Sequence, residues 1–261
     1  MLKPTRLLLV ALLALPLTGL GGCGKRGPLK PLRQPLPQAV GQAALSQKGD
    51  ALLLGWDAPR ANQDGSSLSD LKGFAVYKID YEPAKGCPEC RIPQQLWRQV
   101  DLAGPADDQS QRYYLWDNAV DEDSGYRYRI VPLTRAGGTG AETLLHRPLL
   151  PAPPAPPAPA ARALAHQVEL RWSAAEVQDA ARQSGGSWLG VNLYRCDAGA
   201  YYGPRPLNSS PITADLYRDS RVQNGQCYQY ALRSVVQYGE QIVESRLGTA
   251  TEACPQLPQG L

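Results

Sequence analysis

The feature that most constrains this chain is an internal repeat. Tyr126 and Tyr128 of a Tyr-x-Tyr motif recur as Tyr228 and Tyr230, at an offset of 102 residues. The same offset holds without a gap over the segment from Asp117 to Thr143. A constant offset over such a span predicts two copies of one domain rather than a single large fold.

A proline- and alanine-rich segment, PAPPAPPAPA from Pro151 to Ala160, separates the copies. It cannot form a core and predicts a polyproline-like, semi-rigid spacer of about 3.1 Å per residue. Upstream of the constant region the offset is about 116, so the first copy carries roughly 14 extra residues in its middle. We expect the first copy over 36–149, the linker over 150–160, the second copy over 161–254 and a tail over 255–261.

The local pattern of both copies is typical of β-strands. Tyr126, Tyr128 and Ile130 alternate with arginines, and apolar and charged residues alternate in the same way before Trp172. A period of two places one face of each strand on a core. The chain has 24 prolines and 25 glycines, which favours short strands and turns. The sequence predicts an all-β fold of antiparallel sandwiches, with Ser173–Gln183 as the best helical candidate.

These motifs resemble those of fibronectin type III domains. The resemblance is carried by a Trp on the second strand, by the third-strand segments Gly73–Lys78 and Gly190–Arg195, and by the Tyr-x-Tyr of the sixth strand. It covers nearly the whole of both copies and implies two tandem sandwiches. It also implies that four aromatic residues belong to the cores: Trp56, Trp172, Tyr128 and Tyr230. The second copy departs from the pattern by lacking a Pro after its Trp and by an insertion over Ser173–Ser187.

The first 22 residues are typical of a secretory signal peptide, because Lys3 and Arg6 precede an apolar run that ends in small residues. The apolar run from Leu7 to Leu15 is shorter than the roughly 18–20 residues that a membrane-spanning helix needs. Leu20-Gly21-Gly22-Cys23 resembles the lipobox of bacterial lipoproteins. That resemblance implies cleavage before Cys23 and attachment of diacylglycerol and palmitate to it.

The seven residues from Cys23 to Leu29 resemble the start of a family of small Gram-negative lipoproteins, one of which assists maturation of the lipopolysaccharide translocon. The resemblance implies a Gram-negative envelope and a link to outer-membrane or lipopolysaccharide assembly. Gly24 stands where many lipoproteins retained at the inner membrane have Asp. We therefore expect a lipid anchor in the outer membrane, a tether over 23–35, and domains that face the periplasm.

Five further cysteines lie in a compartment that oxidises thiols. Cys87 and Cys90, in the extra segment of the first copy, predict a small structural disulfide, with a metal site or a redox-active pair as alternatives. In the fold that the resemblance implies, the third and seventh strands both flank the sixth, so Cys196, Cys227 and Cys254 should meet at one end of the second copy. We expect one disulfide among them; Cys196–Cys227 is favoured and Cys227–Cys254 is the alternative.

The sequence carries no motif typical of catalysis. It lacks a phosphate-binding glycine loop, HExxH and GxSxG. Two histidines and scattered acids do not supply a nucleophile, a base and an orienting group. The net charge of +3 includes Lys3 and Arg6 of the signal peptide, which leaves little charge for binding nucleic acid. We expect no enzyme, cofactor, metal or nucleic-acid partner.

These observations favour a non-catalytic binding or scaffolding protein that is held at the membrane by its N-terminal lipid and contacts an envelope protein or a glycan. Tyr201 and Tyr202, in the middle loop of the second copy, are candidates for stacking on a sugar or contacting a protein. A loop that packs on its own domain is the alternative. Two other hypotheses are a thiol–disulfide protein that uses Cys87 and Cys90, and a glycan-binding envelope module.

Overall fold

The computed structural model describes residues 34–102 and 112–257. In the first copy it contains seven strands: β1 Gly41–Lys48, β2 Ala51–Asp57, β3 Leu71–Tyr81, β4 Leu96–Asp101, β5 Arg112–Asp117, β6 Gly125–Thr134 and β7 Thr143–Pro148. β1, β2 and β5 form one layer, and β4, β3, β6 and β7 form the other in that order. Both β3 and β7 pair antiparallel with β6, as the fibronectin type III resemblance implies.

Within residues 160–257 the second copy has the same two layers and adds one helix, but it has no strand equivalent to β4 and its last strand is in two pieces. Its elements are β8 Ala160–Leu164, β9 Gln167–Arg171, α1 Ala174–Arg182, β10 Ser187–Asp197, β11 Leu216–Asp219, β12 Tyr228–Tyr238, β13 Gln241–Glu244 and β14 Thr251–Ala253. β8, β9 and β11 form one layer, while β10, β13 and β14 all pair with β12 in the other. The predicted all-β fold with two tandem sandwiches of fibronectin type III-like strand order is confirmed.

Helix α1 lies in the insertion that follows Trp172. Its first turn is capped by the Ser173 side chain, which accepts a hydrogen bond from the Glu176 N–H at 3.2 Å. Val177 and Ala181, four residues apart, are buried on one face of the helix. The helix therefore covers part of the second core, where the sequence predicted its best helical candidate.

Each sandwich has its own aromatic core. Trp56 is fully buried, meets Phe74 edge-on with ring centroids 5.5 Å apart, and stacks on Tyr113 at 6.0 Å. Such pairs add about 0.5–1.5 kcal/mol to the burial of the rings themselves. The four aromatic residues predicted to be core residues are all buried: Trp56, Trp172, Tyr128 and Tyr230.

The proline-rich linker packs on the protein along one face. Pro153, Pro156 and Pro159 are buried, whereas the residues between them are exposed. A polyproline II helix has three residues per turn, so burial at every third residue indicates such a helix with one side covered. A Cβ at Gly248 would collide with the Pro156 carbonyl oxygen. The segment has the expected polyproline period, but packing holds it against the second copy, so it is not a free spacer.

The two sandwiches share one sheet. At its end β1 pairs parallel with β13, with Gln47 opposite Val243 and Lys48 opposite Glu244. This pairing joins two layers into a seven-stranded sheet in the order β10, β12, β13, β1, β2, β5, with β14 beside β12. The sequence repeat gave no sign of this junction, because it predicts two domains connected only by the linker.

Candidate functional site

Cys23, the predicted lipidation residue, lies outside the described residues, as does most of the predicted tether. Lipidation therefore stays a prediction of the sequence. Among residues 34–102 and 112–257, no helix is long and apolar enough to cross a membrane.

The segment in which the two copies keep a constant offset of 102 residues contributes to a buried polar cluster, which occurs once in each copy. In the first copy, Asp117 accepts hydrogen bonds from the Tyr128 hydroxyl at 2.6 Å and from the Ala119 N–H at 3.0 Å. Lys78 Nζ lies 2.6 Å from the same carboxylate and 4.4 Å from the centre of the Tyr126 ring. The carboxylate is fully engaged by these groups, so it holds strands together and is not a free acid.

The second copy builds the same cluster with arginine in place of lysine. Asp219 accepts hydrogen bonds from the Tyr230 hydroxyl at 3.1 Å and from the Arg221 N–H at 3.0 Å. Arg195 lies 2.7 Å from this carboxylate, and its guanidinium sits 5.0 Å from the centre of the Tyr228 ring. The residues that define the repeat are therefore structural in both copies.

The first tyrosine of each Tyr-x-Tyr motif holds the turn that precedes its own strand, β6 in the first copy and β12 in the second. The Tyr126 hydroxyl accepts a hydrogen bond from the Asp121 N–H at 2.6 Å, and the Tyr228 hydroxyl accepts one from the Gln223 N–H at 3.0 Å. This is the tyrosine corner of immunoglobulin-like sandwiches. It fixes the end of the sandwich at which β6 or β12 begins. The loop that follows β3 or β10 lies at the same end.

Cys87 and Cys90 form a disulfide in the loop between β3 and β4, as predicted. Both residues are exposed, and within residues 34–102 no helix begins beside them. Arg127, buried in β6 below, donates hydrogen bonds of 2.7 Å to the carbonyl oxygens of Pro88 and Arg91. The disulfide therefore belongs to a loop that is fixed over the outer face of β3 and β6.

In the second copy the disulfide joins Cys227 to Cys254, whose Cα atoms are 4.1 Å apart. The favoured Cys196–Cys227 pairing is therefore wrong, and the strand register gives the reason. Tyr228 faces Ala253, which makes Cys227 and Cys254 direct neighbours, whereas Cys196 faces Gln229, two residues from Cys227. Diagonal neighbours of this kind lie roughly 7–8 Å apart, too far for a disulfide without backbone movement.

The three cysteines do meet at one end of the second copy, as expected. The Cys227 and Cys254 sulfurs lie with a Glu252 carboxylate oxygen within 4.8 Å of one another. Because these two sulfurs are bonded to each other, they do not offer free ligands to a metal ion. Among the described residues, Cys196 is the one free cysteine, and it is buried.

Tyr201 and Tyr202 have different surroundings. Tyr201 is 99% exposed, whereas Tyr202 is half-buried with its hydroxyl beside the Cys196 thiol. Burial, and then the neighbouring Cys196, raise the pKa of Tyr202. Burial also raises the pKa of Cys196. The two tyrosines therefore form no shared platform: Tyr202 packs on its own domain, and Tyr201 alone is open to a ligand.

A cleft lies beside the disulfide loop, where the end of β3 and the start of β4 separate. Two adjoining cavities of about 350 and 460 Å³ share Lys78, Ile79, Asp80 and Gln95 as lining residues. Leu96, which is 53% exposed, lines the first of them. We call this the β3–β4 cleft. Its size is within the range of roughly 300–1,000 Å³ that is usual for ligand pockets.

A buried polar network occupies the junction of the two sandwiches. Lys48 Nζ lies 2.6 Å from Glu244 and donates a hydrogen bond to the Tyr194 hydroxyl at 2.5 Å. That hydroxyl in turn donates to Glu244 at 2.6 Å, and Asn192 donates to the same carboxylate at 3.0 Å. Burial lowers the pKa of Lys48, and the Glu244 carboxylate opposes this effect. A lysine at a strand end usually faces solvent, so the sequence carried no signal for this network.

Backbone contacts close the junction around that network. Gly49, with φ of +64°, donates its N–H to the Glu244 carbonyl oxygen at 2.8 Å. The buried Arg147 donates to the carbonyl oxygens of Leu45 at 3.3 Å and Ile242 at 3.2 Å, one from each sandwich. Backbone and side chains thus fix the orientation of one sandwich on the other.

Comparisons with known proteins leave the family of this chain open. No family model and no curated protein matches it. Among solved structures it is similar to the chicken CNTN1 FN1–FN3 domains, with 11% sequence identity and a TM-score of 0.31. That similarity covers 86% of this chain and 70% of the other. The fold is assigned from the strand order and the two hydrophobic cores.

Proposed function

We propose that this protein is a lipid-anchored lipoprotein of the cell envelope that holds two sandwiches in one fixed orientation as a non-catalytic binding scaffold. An all-β pair of such sandwiches is typical of binding and scaffolding modules. The observation that carries the proposal is the shared sheet, in which β1 and β13 pair and Lys48 and Glu244 are buried together. A fixed junction of this kind is what a scaffold needs and what a flexible string of domains lacks.

The anchor is supported by the sequence around Cys23. Gln34, the first described residue, lies eleven positions after Cys23. A fully extended chain spans at most about 3.3–3.6 Å per residue, so the tether keeps the sandwiches within roughly 40 Å of the membrane. Three acyl chains, at about 0.8 kcal/mol per buried methylene, would make the attachment effectively permanent.

Metabolic labelling tests the anchor. The full chain is expressed in a Gram-negative host with an alkyne fatty acid, beside the Cys23→Ala variant. We expect label on the parent chain, recovery in outer-membrane fractions, and neither label nor membrane recovery for the variant. Equal labelling of both chains, or a parent chain found only in the soluble periplasm, would disprove the anchor.

A narrower version links the protein to lipopolysaccharide assembly, supported by the resemblance over Cys23–Leu29. It predicts that deletion of the gene alters surface lipopolysaccharide or the oxidation state of the translocon. Crosslinking mass spectrometry of native envelopes would then find crosslinks between the sandwiches and assembly components. An unchanged surface and an unchanged translocon in the deletion strain would rule this version out while leaving the anchor intact.

The exposure of the Cys87–Cys90 disulfide supports a second candidate, a thiol–disulfide protein. The pair lies in an all-β region and lacks the helix start that lowers a thiol pKa in known oxidoreductases. A redox role requires a reduction potential well above about −300 mV. Equilibration with a glutathione series, read by mass spectrometry of alkylated thiols, decides: a bridge that resists glutathione is structural.

A further inference from the structure

We propose that the β3–β4 cleft receives an extended peptide segment of a partner protein and that an aromatic side chain of this segment fills the cavity beside Ile79. The inference rests on the proposed binding function and gives its partner a chemical class. It starts from the comparison of the two copies, because the second copy shows what fills the equivalent position.

The third strands have the same register in both sandwiches. Ile79 faces Arg127 across β3 and β6, and Cys196 faces Gln229 at the equivalent place on β10 and β12. In the second copy the following loop places Tyr202 beside Cys196. Among residues 34–102 and 112–149 of the first copy no aromatic side chain takes this place, and a cavity of about 460 Å³ lies next to Ile79. The chain itself thus uses a tyrosine to cover this position on its other sandwich.

The strand edge next to the cavity is open to a further strand. The Lys78 N–H donates to the Gln95 carbonyl oxygen at 3.2 Å, and the pairing of β3 with β4 ends at Tyr77 and Leu96. Because backbone groups alternate in direction, the N–H and C=O of Asp80 point to the same side as those of Lys78. In the described ranges no strand pairs with β3 there. A short peptide strand can therefore add to this edge.

The side chains around the cleft favour a peptide with an apolar anchor. Leu96 is 53% exposed and Ile92 is 47% exposed, an unusual exposure for two large aliphatic residues that line neighbouring cavities. The rim carries one exposed acid, Asp80, and one exposed base, Arg91. Such a rim selects neither anions nor cations, which argues against a lipid headgroup. Aromatic anchors in partly apolar pockets supply much of the energy of protein interfaces.

The test uses the full chain, purified from membranes in detergent. A phage library of random ten-residue peptides is selected against it, and the enriched peptides are synthesised for fluorescence anisotropy. Leu96→Arg places a charge in the cleft, and Leu144→Arg is the matched control because Leu144 is a 36% exposed leucine on β7. Hydrogen exchange with bound peptide locates the site on the full chain.

We expect the enriched peptides to share an aromatic residue and to protect residues 78–81 and 91–97 from exchange. Leu96→Arg should weaken binding at least about tenfold, which corresponds to about 1.4 kcal/mol, while Leu144→Arg leaves it unchanged. If Leu96→Arg does not fold, Ile92→Arg in the loop gives the same readout. Selection without aromatic enrichment, protection elsewhere, or equal binding by the cleft and control variants would overturn the proposal, as would a selection that yields no binder.

Fatty-acid labelling of Cys23 does not depend on the cleft. A chain that is labelled but binds no peptide retains its anchor and loses this inference. A chain that binds aromatic peptides through the cleft but takes up no label keeps this inference and loses the proposed anchor. The two failures are therefore distinguishable.

Discussion

The two sandwiches keep the same buried cluster but differ in the loop after the third strand. Asp117 and Asp219 bind a tyrosine hydroxyl, a backbone N–H and a cation in nearly the same geometry. The loop of the first copy is closed by a disulfide and leaves a cleft, whereas the loop of the second places Tyr202 against its own sheet. The comparison separates what the fold requires from what each copy uses differently.

The largest expected effect tests whether the shared clusters are equivalent. Asp117→Ala and Asp219→Ala each leave a buried tyrosine hydroxyl and a cation without their partner. Breaking a buried ion pair in this way costs about 3–5 kcal/mol. Urea unfolding of each variant should show losses that agree within about 1 kcal/mol. A much smaller loss for one copy would show that its cluster is not needed for folding.

The two disulfides should differ in their contribution to stability. The Cys227–Cys254 bridge closes a sequence separation of 27 and Cys87–Cys90 one of 3. Loop-closure entropy then gives about 3.5 kcal/mol for the first and about 2 kcal/mol for the second. Cys254→Ser and Cys90→Ser, compared by thermal unfolding, should rank in that order. The reverse ranking would mean that the β3–β4 loop supports the first core.

Lys48→Met tests the connection between the copies. The substitution leaves the Glu244 carboxylate with hydrogen bonds from Tyr194 and Asn192. It removes the nearest cation, so the one that remains is Arg233, whose Nε lies 4.0 Å away. We expect a loss of about 3 kcal/mol, at the low end for a broken buried pair. Calorimetry should change from one transition to two as the sandwiches uncouple. Glu240→Gln, at an exposed turn beside β13, is the control and should leave one transition.

The tyrosine corners predict a smaller and equal effect in each copy. Tyr126→Phe and Tyr228→Phe remove hydroxyls that accept hydrogen bonds from the Asp121 and Gln223 N–H groups. The loss of one such bond costs about 1 kcal/mol. Chemical unfolding should give similar values for both, and a value near zero for one would show that water replaces its hydroxyl.

Alkaline pH should act on both copies in the same direction. Burial, and then the neighbouring carboxylate, raise the pKa of Tyr128 beside Asp117 and of Tyr230 beside Asp219. A raised pKa means that stability is fully present below about pH 10, the usual pKa of tyrosine, and is lost as pH rises further. Absorbance at 295 nm should show these two tyrosines ionising only as the chain unfolds. Their ionisation in a folded chain would show that the two hydroxyls are open to solvent and not buried.

Much of the fold could be predicted from the sequence, because the repeat and the alternation of Tyr126, Tyr128 and Ile130 are local patterns. The core position of Trp56 follows from the same patterns. The Cys227–Cys254 pairing depends on strand register to within one or two residues, which no local pattern determines. The Lys48–Glu244 contact joins residues 196 apart in sequence, so no pattern in either segment predicts it. The cleft arises where β4 leaves β3, and only its Cys87–Cys90 loop was visible in the sequence.

Packing of the linker restricts the number of residues that it can contain. With Pro153, Pro156 and Pro159 on the buried face, insertion of one residue rotates everything beyond it by about a third of a turn and exposes that face. Insertion of three residues restores the face but lengthens the segment by about 9 Å. Since β1 and β13 fix the distance between the ends, neither change is neutral. The number of residues between the sandwiches is therefore set by rotation and reach together, and the linker will tolerate substitution better than insertion or deletion.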